Sequence, residues 1–363
     1  MVWFRRINLL TLLLCFGVVV FGAYVRLSDA GLGCPDWPGC YGHLTVPEAE
    51  HEVAAAAERY PQRPVEAPKA WKEMIHRYIA STLGLLIVGL AVLSLRLRAA
   101  GAPRRLPWLL VGLVVFQGIL GMWTVTWQLK PLVVTAHLLG GMATLALLLW
   151  MYLSARREAG GRVQESEPLR EHRSERHVAF ALARETASPA VATATPAPPR
   201  IRLFAGIALA LLVVQVFLGG WTSTNYAALA CPDFPTCHGS FWPETDVATA
   251  FTLWHGLGIN YEYGILDARA RVTIHHFHRV GALVVAVALL LLGSWLLRRG
   301  PAPRWKMLGA AVLAALLLQL SIGVGVVVLQ FPLGLAAAHN AGAALLLAVL
   351  VTLNHAAWTR SKP

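Results

Sequence analysis

The chain has 363 residues, 56% of them hydrophobic and only 14% charged, with a mean hydropathy of +0.57. A soluble domain carries nearer a quarter charged residues, so an ordinary water-soluble enzyme is excluded. The net charge of +12 is scattered over tails and loops, where a nucleic-acid interface needs one contiguous basic face, so no nucleic-acid partner is expected.

Eight apolar runs are long enough to cross a bilayer core as helices. They predict an all-α membrane protein with spans over residues 7–26, 74–95, 107–126, 132–153, 203–223, 277–297, 306–328 and 334–356. The first run follows Arg5 and Arg6 as a signal peptide would. Its apolar core is long and no small-residue cleavage site follows, so it is expected to remain as an anchor. Cys15, alone within it, reads as a packing residue. Roughly two-thirds of the 31 Lys and Arg lie in the tails and in the loops after the second, fourth and sixth spans. Arg96, Arg98, Arg104 and Arg105 mark the first of these loops, Arg156 and Arg157 the second, and Arg298, Arg299, Arg304 and Lys306 the third. By the positive-inside rule both termini and these loops are cytoplasmic. The expected location is a bacterial inner membrane, with membrane lipid as the surrounding partner.

Two external loops carry matching segments, Cys34-Pro-Asp-Trp-Pro-Gly-Cys40-Tyr-Gly42 and Cys231-Pro-Asp-Phe-Pro-Thr-Cys237-His-Gly239. In an oxidising compartment, disulfides Cys34–Cys40 and Cys231–Cys237 are expected. Their role reads as structural, closing each turn over the bundle mouth, with a redox or haem-docking role as the sharper alternative. Gly22 and Gly219 share the cysteines' offset of 197 positions. Further on, His76-Arg77 matches His278-Arg279, Gln117 matches Gln319, Gly121 matches Gly323 and His137 matches His339, all at an offset of 202. The chain therefore reads as two tandem four-helix bundles in one orientation: residues 1–154, a disordered cytoplasmic linker over 155–202, and residues 203–363. A parallel repeat of this kind differs from the inverted repeat common in transporters. The loop 43–70, rich in Ala, Glu and Pro, shows no chemistry of its own.

His76 and His278 open the second and sixth spans, and His137 and His339 lie near the start of the fourth and eighth. All four fall in the outer part of the membrane, where ionisable groups are costly and usually functional. A lone membrane histidine is as often a hydrogen-bonded packing residue; four in register at one depth point to two bis-axial haem sites in bundle cores. Zinc would need three or four converging ligands. Arg77 and Arg279 read either as propionate partners or as side chains snorkelling to the interface. His43, His51, His238, His255, His172, His177 and His355 read as solvated, and His275 and His276 compete with His278 only by proximity.

Together with Glu73-Met-Ile-His76 and the run Gly22-Ala-Tyr-Val-Arg26-Leu-Ser-Asp-Ala-Gly-Leu-Gly before Cys34, these features resemble the haem A synthase family over nearly the whole chain except the linker. The resemblance implies oxidation of the C8 methyl group of haem O to a formyl group. It implies a haem b on His278 and His339, and substrate haem on His76 and His137. The two halves differ where that implication requires: Glu73 corresponds to His275, and Arg26 to Ser223. Glu73, one helical turn before His76, is the candidate catalytic carboxylate; its plainer role is to complement the helix N-terminal dipole. Arg26, Arg77 and Arg279 are candidate propionate contacts. Candidate partners are a haem O synthase, cytochrome c oxidase assembly factors and an unidentified electron donor or acceptor. The competing functions are a quinol-linked dihaem b-type electron-transfer cytochrome, and a periplasmic thiol oxidant that uses the cysteines alone.

Overall fold

The computed structural model describes residues 1–97, 102–166 and 198–359. These residues form ten helices: α1 (Val2–Leu27), α2 (Glu50–Arg59), α3 (Ala67–Arg96), α4 (Leu106–Thr126), α5 (Pro131–Ser166), α6 (Pro199–Thr224), α7 (Val247–Ala250), α8 (Ala268–Arg299), α9 (Pro303–Val328) and α10 (Leu333–Trp358). Eight of them, all but α2 and α7, are long and apolar enough to cross a membrane. Proline stands in the first turn of α3, α4, α5, α6 and α9, where its missing N–H costs no intrahelical bond.

The spans lie where hydropathy predicts them, but α3 and α8 start well before the expected residues 74 and 277. Their first turns carry polar residues, project beyond the apolar stretch, and are held by the disulfide-bearing loops. Asp267 caps α8 by accepting from the N–H of Ala270 at 2.8 Å. His76 and His278 therefore sit in the third turn of their helices, not at the openings. The expected linker also gives way at both margins, since α5 continues to Ser166 and α6 begins at Pro199. Its disorder concerns residues 167–197, which lie outside the described residues.

Helices α1, α3, α4 and α5 pack as a ring, each touching the next, and α6, α8, α9 and α10 repeat the same order. The halves meet through α1 against α10, α5 against α10 and α5 against α6. One apolar core runs through both, with Leu90, Leu110 and Leu148 in the first half joined to Ala205, Leu289 and Leu350 in the second. Polar ties fasten the seam at both ends. At one end, Ser154 lies 3.0 Å from Nε2 of His355, and Arg157 donates to the carbonyl of Thr359 at 2.9 Å. At the other end, Arg26 donates to the carbonyl of Ser223 at 3.1 Å and lies over the Tyr226 ring. The N–H of Tyr261 donates to Gln128, and Arg63 pairs with Glu262 at 3.1 Å.

The loop without evident chemistry supplies a cap. Helix α2 carries Ala56 into a small separate core with Cys34, Cys40, Tyr41 and Met74. Its start is fixed by Glu52, whose carboxylate accepts from the N–H groups of Glu48 and Ala49 at 3.2 and 3.3 Å.

Candidate functional site

Both disulfides form, Cys34–Cys40 with Cα atoms 4.8 Å apart and Cys231–Cys237 with 4.7 Å, and Cys15 is buried and free. Each loop is built in the same way. Asp36 accepts from the N–H of Tyr41 and Gly42, at 2.6 and 2.7 Å; Asp233 accepts from those of His238 and Gly239, at 2.6 and 2.9 Å. Gly42 and Gly239 take φ of +84° and +76°, the left-handed region that glycine enters without a side-chain penalty. The hydroxyl of Thr236 and these amides hold the Asp233 carboxyl well below the usual carboxylate range.

An arginine from the head of the histidine helix pins each loop. Arg77 donates to the carbonyls of Asp36, Pro38 and Gly39 at 3.0, 3.1 and 2.5 Å. Arg279 donates to those of Cys231, Asp233 and Thr236 at 2.8, 2.8 and 2.7 Å. Both guanidinium groups thus serve the loops. Beneath them the halves diverge. Glu73 is buried; it accepts from the N–H of Cys34 at 3.0 Å and pairs with Arg77 at 2.5 Å. Its counterpart His275 accepts from the N–H of Cys231 through Nδ1 at 3.2 Å. A neutral imidazole has one acceptor nitrogen, so the 3.3 Å approach of Arg279 to Nε2 is a contact and no second bond. A carboxylate takes both donors; a histidine takes one. His275 is thereby spoken for, and His276 lies against Trp242. His355, expected to be solvated, is only 6% exposed; the meeting of α5 with α10 buries it beneath Trp150.

Each of the four helix-borne histidines stands against a glycine of the preceding span: His76 against Gly22, His137 against Gly121, His278 against Gly219 and His339 against Gly323. These glycines read as register markers in the sequence; in the fold they make room for the rings. In the second half, His278 and His339 face each other across the ring of helices with centroids 6.4 Å apart. Two metal–imidazole bonds of about 2 Å, together with the ring radii, place coaxial ligand rings about 6 Å apart. The Gln215 amide nitrogen lies 3.0 Å from Nδ1 of His278, and that of Gln319 lies 3.3 Å from Nδ1 and 3.4 Å from Nε2 of His339. Nδ1 of His137, Nε2 of Gln117, Oε1 of Gln215 and Oε1 of Gln319 are buried without a protein partner. Paired imidazoles at this spacing fit bis-axial haem ligation. Among the described residues no three His, Cys, Asp or Glu converge on one point. Gln215 went unnoticed in the sequence because its first-half counterpart is Val18.

A cavity of about 740 Å³ opens in this cap between the halves, with Arg59, Arg63, Lys69, Gln128 and Glu262 on its walls. None of the four helix-borne histidines lines it, so it is distinct from the paired-histidine sites.

Residues 5–351 match the COX15-CtaA family, described as cytochrome oxidase assembly protein. The chain is 44% identical to a haem A synthase of Shewanella oneidensis over 359 residues, covering 99% of this chain and 97% of the relative. It is 29% identical to a haem A synthase of Caulobacter vibrioides, covering 96% and 93% of the two chains.

Proposed function

The chain belongs to the COX15-CtaA family of cytochrome oxidase assembly proteins, and from that premise we propose that it is a haem A synthase, an oxidoreductase that converts haem O to haem A in a bacterial inner membrane. The facing pair His278 and His339, repeated in the sequence at His76 and His137, in a chain similar to haem A synthases over almost its full length, carries this reading. His278 and His339 hold a resident haem b in the half formed by residues 203–363. His76 and His137 hold the substrate haem in the half formed by residues 1–154. When bound, the resident haem supplies one-electron transfer, because two protein ligands leave it no open position for substrate.

The protein's own groups do the positioning. The substrate's farnesyl tail makes it lipid-soluble, so a site between membrane helices is where it is met. His137 and His76 orient it. Glu73, one turn before His76, presents a buried carboxylate beside the ring's ligand, and its Arg77 and Cys34 partners fix the carboxylate without filling every lone pair. That group accepts or relays the proton released as the methyl carbon is oxidised. Arg26 remains a candidate propionate contact, since its Nε is buried without a partner. A haem O synthase, oxidase assembly factors and an electron donor or acceptor are the proposed partners, with both termini cytoplasmic.

Haem extraction and chromatography from membranes that co-express the chain with a haem O synthase test this. The native chain yields haem A. Glu73→Gln, which keeps an acceptor for the Cys34 amide, stalls at haem O. Native membranes with only haem b and haem O would overturn the synthase in favour of the electron-transfer cytochrome.

A further inference from the structure

Five buried polar side chains of the first half have apolar counterparts in the second. At the offset of 197, Asn8, Thr11 and Cys15 of α1 correspond to Ala205, Ala208 and Leu212 of α6. At the offset of 202, Ser94 of α3 and Thr144 of α5 correspond to Leu296 and Leu346. All five polar residues are at most 2% exposed, and all five counterparts belong to the apolar core. Polar groups inside membrane spans are costly and usually functional.

The five residues form a line. Asn8, Thr11, Cys15, Val18 and Gly22 follow one another at spacings of three and four residues, which is one face of a helix. That face ends at Gly22, against the ring of His76. On α5, Thr144 lies two turns from His137 on the same face; its hydroxyl donates to the carbonyl of Gly140 at 2.8 Å, and Gly140 lies beneath the Gln117 amide. Gly141 packs against Val19, and α1 and α5 run antiparallel, so Thr144 stands at the level of Cys15 and Phe16. Ser94, reckoned in the same way from His76 and Gly22, stands at the level of Phe4, at the far end of the line.

The hydroxyls of Thr11, Ser94 and Thr144 donate to carbonyls of their own helices, as such residues do in membrane spans, and their oxygens remain able to accept. Asn8 departs from that pattern. It is fully buried, and neither its amide nitrogen nor its oxygen has a protein partner. The buried asparagine of the second half, Asn354, donates to the carbonyls of Ala205 and Leu350 at 2.9 Å each. A buried amide that the protein leaves unpartnered is a site for water. At the other end of the line, Nε2 of Gln117 and Nδ1 of His137 are orphaned in the same way. Polar groups one helical turn apart lie about 5–6 Å from each other, a gap that one water molecule spans with two hydrogen bonds of about 2.8 Å.

We propose that Asn8, Thr11, Cys15 and Thr144 line a file of water that joins the His76 and His137 site to solvent at the end of the bundle where the chain begins. The file carries water, and protons along it, to and from the site. Turning a methyl into a formyl group takes two hydrogens off the carbon and adds one oxygen, so a site buried among membrane helices must exchange both with solvent. One-electron transfer at a haem with two protein ligands requires no such exchange, and the second half is closed at the same positions by Ala205, Ala208, Leu212 and Leu346. This rests on the reading that the first half holds the substrate haem.

Cys15 reports the file, because the other four cysteines are paired and its thiol is the only one in the chain. Its S–H stretch falls in an infrared window clear of other protein bands, and conversion to S–D in heavy water measures how readily water reaches it. In the full chain reconstituted into lipid vesicles, Cys15 should exchange at least about tenfold faster than the thiol of the double variant Cys15→Leu with Leu212→Cys, which moves it to the equally buried counterpart. Asn8→Leu keeps the branched shape of the side chain without its polar atoms. It should slow the exchange of Cys15 at least about tenfold and lower the haem A yield of membranes that co-express a haem O synthase, with the second-half haem spectrum unchanged as proof of folding. Equal rates at the two thiol positions would overturn the file and leave the synthase standing. So would an Asn8→Leu protein that exchanges Cys15 as before, or one that makes haem A at the native level. Native membranes that make no haem A would overturn both.

Discussion

Replacing the glycine behind each histidine by alanine adds one methyl group at four places that differ chiefly in the room available. The new Cβ would lie 2.6 Å from Nε2 of His76 at Gly22, 2.8 Å from Cε1 of His339 at Gly323, 3.1 Å from Cε1 of His278 at Gly219, and 3.5 Å from Cε1 of His137 at Gly121. Non-bonded carbon atoms settle at about 3.5–4.0 Å, so the rings must retreat by about 0.9, 0.7, 0.4 and 0 Å in that order. Overpacking of this kind costs about 1–3 kcal/mol; Gly22→Ala and Gly323→Ala fall at the upper end and Gly219→Ala at the lower. Gly121→Ala should be neutral or slightly stabilising, since alanine is favoured over glycine in a helix by about 1 kcal/mol. A ring displaced by most of an ångström cannot keep its axial alignment. Gly323→Ala should therefore lose the second-half haem, read as haem per protein and as the low-spin absorption spectrum, while Gly121→Ala keeps its full complement. If Gly121→Ala proves as damaging as Gly323→Ala, the spacing between glycine and imidazole is not what governs these sites.

Three further outcomes are expected. Cys34→Ser with Cys40→Ser should lower unfolding stability by about 2 kcal/mol, the loop-closure value for so short a ring, and leave the second-half haem spectrum unchanged; loss of both haems would show that the loop holds more than its own turn. Because the Asp233 carboxyl is depressed in the fold, its contribution is complete above its unfolded pKa of about 3.9 and fades as pH falls through the lower folded value. The melting temperature should therefore fall on acidification below about pH 4, less steeply in Asp233→Asn, and identical slopes would refute the role. Fluorescent-protein fusions at either terminus should glow and alkaline phosphatase fusions there should be inactive, the pattern of cytoplasmic ends.

The spans were legible because a bilayer imposes one simple requirement, about 20 apolar residues, and the chain meets it eight times. The histidine registers were legible because the two halves repeat them at constant offsets. What stayed hidden depended on contacts that no single segment encodes. The first turns of α3 and α8 are polar, so hydropathy stops short of them, and the disulfide loops that sit on Arg77 and Arg279 account for their length. Helix α2 is too short and too rich in alanine to stand out, although Glu52 near its start and Arg59 at its end are ordinary terminal residues. His355 reads as solvated until α5 packs on α10. Gln215 has no partner at Val18, so a comparison confined to matching residues passes over it; the mismatch was itself the signal.

The polar ties that fasten the seam have a mechanical consequence. Ser154 with His355 and Arg157 with Thr359 clasp one end, Arg26 with Ser223 and Arg63 with Glu262 clasp the other, and all of these residues lie outside the segment that joins the halves. The peptide connection between the bundles is then a convenience of translation: in its mechanics the molecule is a heterodimer of half-proteins. Residues 1–166 and 198–363, synthesised as separate chains in one membrane, should find each other and purify together.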